Sequence, residues 1–325
     1  MDIQDYKRAF LLYLDDKTSA EGVLKEPVNL YEPIHYILNL GGKRLRPILT
    51  LLSCDIFSGD YRNALDAALA IEMFHNFTLM HDDIMDEAPI RRGKTTVHKK
   101  WDINTGILSG DALMILAYQL FENYEGEIFK QIVSLFNKTA IEVCEGQQYD
   151  IDFEIKRDVS LLEYKNMIGF KTAVLVAAAL KMGAIIANAE KKEASLIYDF
   201  GFNLGMAFQL QDDYLDTFGT KEFGKKIGGD ILEDKKTFLV LKTLELASEE
   251  DKKNLEILFS INDKSDEKIK KVTNYFKKYK VDKSIQFEIE KYTLKAFADI
   301  EKLNVSQENK NILIEFGNNL MNRNL

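Results

Sequence analysis

Three aspartates, Asp82, Asp83 and Asp86, form a DDxxD cluster in HDDIMDEAPIRRGKTTVH (81–98), and the same spacing returns as Asp212, Asp213 and Asp216 in QDDYLD. On a helix, positions i and i+4 lie on one face, so Asp82 stacks with Asp86 while Asp83 is rotated about 100° to the side. Like charges at that spacing destabilise a helix by a few tenths of a kcal/mol. Carboxylates on an apolar helix cost more unless they are paired or hold a metal. One copy is ordinary, a solvated acidic helix end. Two copies arise by chance in a chain of this length with a probability near ~0.002 at average aspartate usage. Oxygen-only donors suit a hard cation, Mg²⁺ before Ca²⁺ or Mn²⁺, and magnesium held by few carboxylates usually shares its coordination with substrate phosphates.

Basic groups recur around these acids. In GGKRLRP (41–47), two glycines free the backbone, Lys43, Arg44 and Arg46 follow, and Pro47 suits the first turn of a helix. Cations at a helix start oppose its dipole, so the three require a local anion or else form a plain basic loop. Arg91 and Arg92 follow the first acid cluster, with His98 and Trp101 beyond them. Lys171 and Thr172 open an alanine-rich helix in GFKTA (169–173). GTKEFGKKIGGDI (219–231) reads as a mobile basic lid with Lys225 and Lys226, or as an ordinary flexible loop, with Asp230, Asp234 and Lys235 at the next helix start. No glycine-rich nucleotide loop of either common pattern occurs.

The flanks of the two acid clusters add detail. His75 lies seven residues before Asp82 on the same face, with Thr78 between them. Met73, Phe77, Met80 and Ile84 form an adjacent apolar stripe, either core or the lining of an apolar tunnel. In the second acid helix Gly201, Gly205, Gln209, Asp212 and Asp216 share roughly one face. Each glycine costs about 1 kcal/mol of helix stability, which close approach of a ligand or a partner helix would offset. Asp111 is placed to cap or charge a helix start near SGDAL, and Gln147 and Asp150 fall near the end of another helix.

The elements that must position these residues read as helices. No stretch alternates with period two, and long 3.6-residue apolar patterns predict an all-α protein of a dozen or so helices in a single domain, 1–325. Helices are predicted near 2–16, 30–40, 46–57, 60–86, 103–123, 127–150, 160–168, 170–188, 192–218, 230–247, 250–260, 265–279, 282–302 and 306–322. The four prolines, Pro27, Pro33, Pro47 and Pro89, are placed at helix starts or loops. A net charge of −9 argues against a nucleic-acid partner. Cys54 and Cys144 have no metal or redox spacing and read as small core residues. The opening MDIQDYKRAF lacks an apolar signal core, which predicts no export and a cytoplasmic location. The apolar run 173–189 is interrupted by Lys181 and rich in alanine, and so predicts a buried core helix rather than a transmembrane segment. The lysine-rich tract 251–282 reads as solvated helix faces.

Taken in order, GGKRLRP, DDIMD with RRG, GQxxD, FKT, FQLQDDYLD and GKKIGGD resemble the trans-isoprenyl diphosphate synthase (polyprenyl synthetase) family over about residues 35–240. The resemblance implies an isoprenoid-synthase-type helical bundle around a central cavity, a homodimer, and three Mg²⁺ ions per active site, with Mn²⁺ able to serve. The implied substrates are isopentenyl diphosphate and an allylic diphosphate (dimethylallyl, geranyl or farnesyl). Asp82, Asp86 and Asp212 would bind Mg²⁺ bridging the allylic diphosphate, supported by Asp83, Asp213 and Asp216. Arg91, Lys171 and Lys226 would hold that diphosphate, with Lys235 also binding substrate. Lys43, Arg46, His75 and Arg92 would hold isopentenyl diphosphate, and Thr172 and Gln209 would face the allylic cation. Phe77, Thr78 and Phe74, which lie five, four and eight residues before Asp82, would set the tunnel floor. Small Thr78, with no two-residue insertion in the motif, resembles the pattern of archaeal-type twenty-carbon synthases. The implied product is geranylgeranyl diphosphate, with farnesyl diphosphate or a medium-chain product as alternatives. A terpene cyclase would not need GGKRLRP, and a non-catalytic subunit would usually lose its acid motifs.

Overall fold

Apolar and alanine-rich stretches at helical spacing build nearly every element. The computed structural model describes residues 2–19, 26–219, 227–261 and 263–321, and within them the chain is helical apart from one two-stranded ribbon. The chain divides into two units, residues 1–137 with 178–194, and 138–177 with 195–325.

The first unit holds α1 (Ile3–Ser19), α2 (Val28–Leu38), α3 (Leu45–Ile56), α4 (Leu65–Met85), the ribbon β1 (Ile90–Arg91) and β2 (Lys94–Thr95), α5 (Val97–Lys100) and α6 (Ile103–Phe121). From Ala67 to Phe74 every residue of α4 is buried, as expected of a helix at the centre of a core. Phe10, Leu14, Ile37, Leu38, Leu51 and Leu52 complete that core, at about 1.5–3 kcal/mol for each large side chain fully buried. Small residues of α6 admit α4: a Cβ on Gly106 would stand 2.9 Å from Ile84, and one on Gly110 2.3 Å from His81. The ribbon turns through Arg92 and Gly93, whose φ angles of 52° and 73° are the positive pair a tight two-residue hairpin requires.

The helix α7 (Gly126–Ile155) precedes α8 (Leu161–Ile168), a single π-helical turn (Gly169–Ala173), α9 (Val174–Ile186) and α10 (Lys191–Phe218). A reciprocal cap by Ser160 and Glu163 starts α8. The second unit continues with α11 (Gly229–Leu232), α12 (Phe238–Leu246), α13 (Glu249–Ser260), α14 (Asp266–Lys278), α15 (Val281–Glu301) and α16 (Gln307–Met321). Its core gathers Tyr164, Met206, Leu210, Phe238, Val272, Phe276 and Ile285.

The predicted helices are found, with instructive departures. The expected helix 230–247 is broken, because Asp234 adopts φ +59° and its carboxylate accepts the Lys268 ammonium at 2.5 Å. Helix α4 begins after a 3₁₀ turn, Tyr61–Ala64, whose start is capped by the Asp60 side chain. Asp111 lies inside α6; Asp102 caps that helix by accepting from the Thr105 amide. Pro33 sits within α2, which persists because Ile34, Ile37 and Leu38 are buried. Cys54 is buried as expected, but Cys144 is exposed on α7; both are free thiols. The continuous helical run Leu161–Ile186 is long and apolar enough to cross a membrane by length and composition, but its apolar window is 72% buried within the protein.

Candidate active site

In the first unit, α4 supplies the first acid motif. Asp83, at 2% exposure, is the buried member. It accepts from Arg91 Nε at 2.7 Å, while the same guanidinium lies 3.5 Å from Asp82. Burial raises the Asp83 pKa to about 6 against the opposing pull of Arg91. Asp82 is half-buried, and Asp86 is exposed at the C-cap of α4. The ribbon places Arg91 and Arg92 beside α4: Arg92 donates to the Gly41 carbonyl. Gly42 sits there at φ +124°, a conformation that residues with side chains rarely adopt, and a Cβ would also displace the Arg92 guanidinium, 2.8 Å away.

The expected basic loop is divided in its use. Lys43 is exposed. Arg44, at φ 54° and 5% exposed, donates to Glu72 and to the Leu38 carbonyl. Glu72 also accepts from Asn76 Nδ2 at 3.2 Å. Glu72 is therefore the anion of the loop, and breaking such a buried pair costs about 3–5 kcal/mol. Arg46 is held instead against His75, with NH1 3.2 Å from Nε2. Burial brings Arg46 down to about 10, so it stays charged at neutral pH. Burial, then Arg46 itself, holds His75 well below the ordinary histidine range. The neutral imidazole accepts from Arg46 and orients it.

Upstream of the acids, Phe77 is half-buried, its ring 5.6 Å from Phe74 and 4.8 Å from His81. Phe74 in turn meets Phe136 at 5.1 Å, and Phe136 meets Phe121 and Tyr118 at 5.0 Å each. The Thr78 hydroxyl donates to the His75 carbonyl at 2.8 Å, so its remaining surface is a methyl group. Beyond the ribbon, Trp101 packs edge-on to Tyr36 at 5.3 Å, and the Lys100 ammonium lies 3.9 Å from the Tyr36 ring and 4.4 Å from that of Trp101. Tyr36 fastens this cluster to β2 by donating to the Thr95 carbonyl at 2.7 Å.

In the second unit, α10 repeats the pattern. Asp213 is the buried acid, at 4% exposure, and accepts from Tyr164 and from Gln209 Nε2 at 3.3 Å. The Thr172 hydroxyl donates to Gln209 Oε1 at 3.1 Å, so Thr172, Gln209, Asp213 and Tyr164 form one chain of hydrogen bonds. Asp212 and Asp216 are half-buried. Asp216 Oδ2 accepts from the Asp230 amide at 3.1 Å. Lys171, on the π turn, donates to Asp150 Oδ2 at 2.6 Å. The expected approach at Gly205 is present: a Cβ there would lie 2.7 Å from Ala173 Cα. Asp150, Tyr164, Lys171, Thr172, Gln209, Asp213, Asp230 and Lys235 line a cavity of about 120 Å³. That is well below the roughly 300–1,000 Å³ of sites that enclose whole ligands, and suits a charged head group. Lys225 and Lys226 lie outside the described residues.

The residues present fit a divalent metal. Burial, with added repulsion from Asp230, raises Asp213, and burial with repulsion from Asp216 raises Asp230. Acids that raise one another favour a cation. Among the described residues no three His, Cys, Asp or Glu side chains are arranged to hold a metal ion by themselves; Mg²⁺ bound by one or two carboxylates takes its remaining ligands from waters and substrate phosphates. Sequence reasoning did not single out Tyr164, Glu72 or the pairing of Asp150 with Lys171. GQxxD signalled Asp150; a lone tyrosine and glutamate gave no signal.

A family model described as "Polyprenyl synthetase" matches residues 27–276. The geranylgeranyl diphosphate synthase of Sulfolobus acidocaldarius is 42% identical over 258 residues, 78% of each chain. A short chain isoprenyl diphosphate synthase of Methanothermobacter thermautotrophicus is 40% identical over 83% of this chain and 82% of that one. A crystal structure of a geranylgeranyl pyrophosphate synthase superposes with a TM-score of 0.94 at 50% identity, covering all of both chains. With the acid motifs, basic groups and helices described above, these likenesses establish that the chain belongs to the polyprenyl synthetase family.

Proposed function

We propose that this trans-prenyltransferase, acting as one domain of 325 residues, condenses isopentenyl diphosphate with dimethylallyl, geranyl and farnesyl diphosphates and releases geranylgeranyl diphosphate. The observation that carries the reading is the repeated acid motif, in which one carboxylate is buried and locked while its neighbours are half-buried or exposed, beside lysine and arginine groups. The relatives' names support the twenty-carbon product.

In the reaction the bond from the allylic carbon to diphosphate oxygen breaks, the double bond of isopentenyl diphosphate attacks the allylic cation, and a proton leaves to the released diphosphate. Asp82, Asp86, Asp212 and Asp216 would hold Mg²⁺, three ions per site, with Mn²⁺ able to substitute. When bound, Mg²⁺ neutralises charge developing on the departing diphosphate. Lys171, Lys235 and Arg91 hold the allylic diphosphate. Lys43, Arg46 and Arg92 hold that of isopentenyl diphosphate, with neutral His75 orienting Arg46. The hydroxyl of Thr172 and amide of Gln209, fixed to each other, present oxygen dipoles to the cation. Asp83 and Asp213 act from behind, anchoring Arg91 and the Tyr164–Gln209 chain.

The protein works as a homodimer in this reading. Support comes from α6, which exposes four large apolar side chains, Ile103, Ile107, Leu108 and Ile115; clustered exposed apolar surface marks an interface. Two free thiols support a reducing, cytoplasmic setting.

Incubating the purified chain with isopentenyl diphosphate, Mg²⁺ and each allylic primer, followed by chromatography of the dephosphorylated products, tests the function. Twenty-carbon product from all three primers is expected; accumulation of the fifteen-carbon product overturns the assignment. Phe77→Ala should shift the distribution to longer chains, and an unchanged distribution removes Phe77 from the floor.

A further inference from the structure

Lys268 lies outside every motif of the site, in the first turn of α14, and is only 1% exposed. A lysine is buried to that degree only when its charge has a partner. Its ammonium donates to Asp234 Oδ1 at 2.5 Å and stands 5.5 Å from the Phe259 ring. Asp234 is where the helical path after α11 stops, at φ +59°. A residue other than glycine keeps that conformation only where its surroundings hold it. Nearby, Lys264 donates to the Leu232 carbonyl at the end of α11.

The other side of this segment is fastened to the site. The Asp230 amide donates to Asp216 Oδ2 at 3.1 Å, and the Lys235 amide to the Asp230 carbonyl at 3.0 Å. Asp230 and Lys235 both line the cavity with Lys171 and Asp213. Two lysines reaching from the α13–α14 loop and α14 thus grip the segment that brings one acid and one cation to the cavity.

We propose that Lys268 is a positioning residue for diphosphate binding: by holding Asp234 it sets where Lys235 meets the diphosphate of the allylic substrate. This inference rests on the reading of Lys235 as a substrate-binding residue. It gives the region after the last motif a part in the reaction, exerted through Asp234.

The test compares Lys268→Met, Asp234→Asn and Lys235→Ala with the parent enzyme. Calorimetric titration with Mg²⁺ and an unreactive allylic thiolodiphosphate gives Kd, and kinetics with both substrates varied give each KM. In Lys268→Met and Asp234→Asn, the Kd of the analogue and the KM for the allylic diphosphate are expected to rise about tenfold, as displacement of a positioning group does. The KM for isopentenyl diphosphate stays unchanged. Lys235→Ala adds little to Lys268→Met, because both act on one group. A lysine that only stabilises the fold would lower the melting temperature and the active fraction without moving either constant, and that result in both variants overturns the inference. Should Lys268→Met fail to fold, Asp234→Asn decides alone, its side chain being 31% exposed. Unchanged constants in Lys235→Ala overturn the reading of the site together with the inference. Raised constants in Lys235→Ala with unchanged ones in the other two overturn the inference alone.

Discussion

At the scale of single residues, the three aspartates of each motif are not equivalent. The second one is rotated about 100° from its neighbour by the helix itself, and in both copies that rotation carries it inward, to 2% exposure at Asp83 and 4% at Asp213. Each is then met by donors, Arg91 for Asp83, Tyr164 and Gln209 for Asp213. Tyr164→Phe removes one donor from a buried carboxylate and should cost about 1–3 kcal/mol in urea unfolding; a loss below about 0.5 kcal/mol, the range of neutral surface changes, would show the bond to be idle. His75 gives the pH prediction. Its folded pKa lies well below 6.5, so between the two values the unfolded chain binds more protons. Its contribution is complete above about 6.5 and is lost as pH falls toward the folded pKa. Melting temperatures at pH 5.5 and 7.5 should therefore differ more in the parent protein than in His75→Gln, and equal differences would contradict a neutral His75.

At the scale of elements, the π turn at Gly169–Ala173 is the feature that places Lys171 and Thr172. Such single turns occur often at functional sites, because the extra residue re-aims the side chains it contains. Helix α7 allows it: a Cβ on Gly146 would stand 2.3 Å from the Lys171 backbone nitrogen. Gly146→Ala must move one element or the other, and should lower kcat/KM for the allylic substrate at least about tenfold and stability by about 1–3 kcal/mol. Normal kinetics with a normal melt would show that the close approach is unimportant. The sequence marked GFKTA as a helix start, but the turn lies inside one continuous helical run, Leu161–Ile186, because whether a turn closes on the fourth or fifth residue depends on what it packs against. The break at Asp234 was hidden for the same kind of reason, its partner Lys268 lying 34 residues away. So was the loss of Arg44 to Glu72, a pairing across 28 residues.

At the scale of the whole molecule, what short-range pattern determines was legible: the all-helical class, most helix bounds, both acid motifs and the basic groups near them. Long-range pairing and surface chemistry were not. Cys144 and the apolar side chains of α6 look the same in sequence whether buried or exposed. Those side chains yield a prediction about assembly. Placing charge on Leu108 and Ile115, each 60% exposed, should leave each chain folded while abolishing the proposed homodimer. Leu108→Asp with Ile115→Asp is expected to sediment as a 37.3 kDa monomer with unchanged helical content. A double variant that remains dimeric would exclude α6 from the interface.

The contact of Trp101 with Tyr36 and Lys100 has a practical consequence. It is the sole tryptophan of the chain, and it sits next to the ribbon that bears Arg91 and Arg92. Indole emission therefore comes from a single known position. Trp101 is thus a native optical probe beside that arm, and its emission is expected to change when either substrate is mixed with the unmodified enzyme in stopped-flow fluorescence; unchanged emission with both would show that the arm does not respond to them.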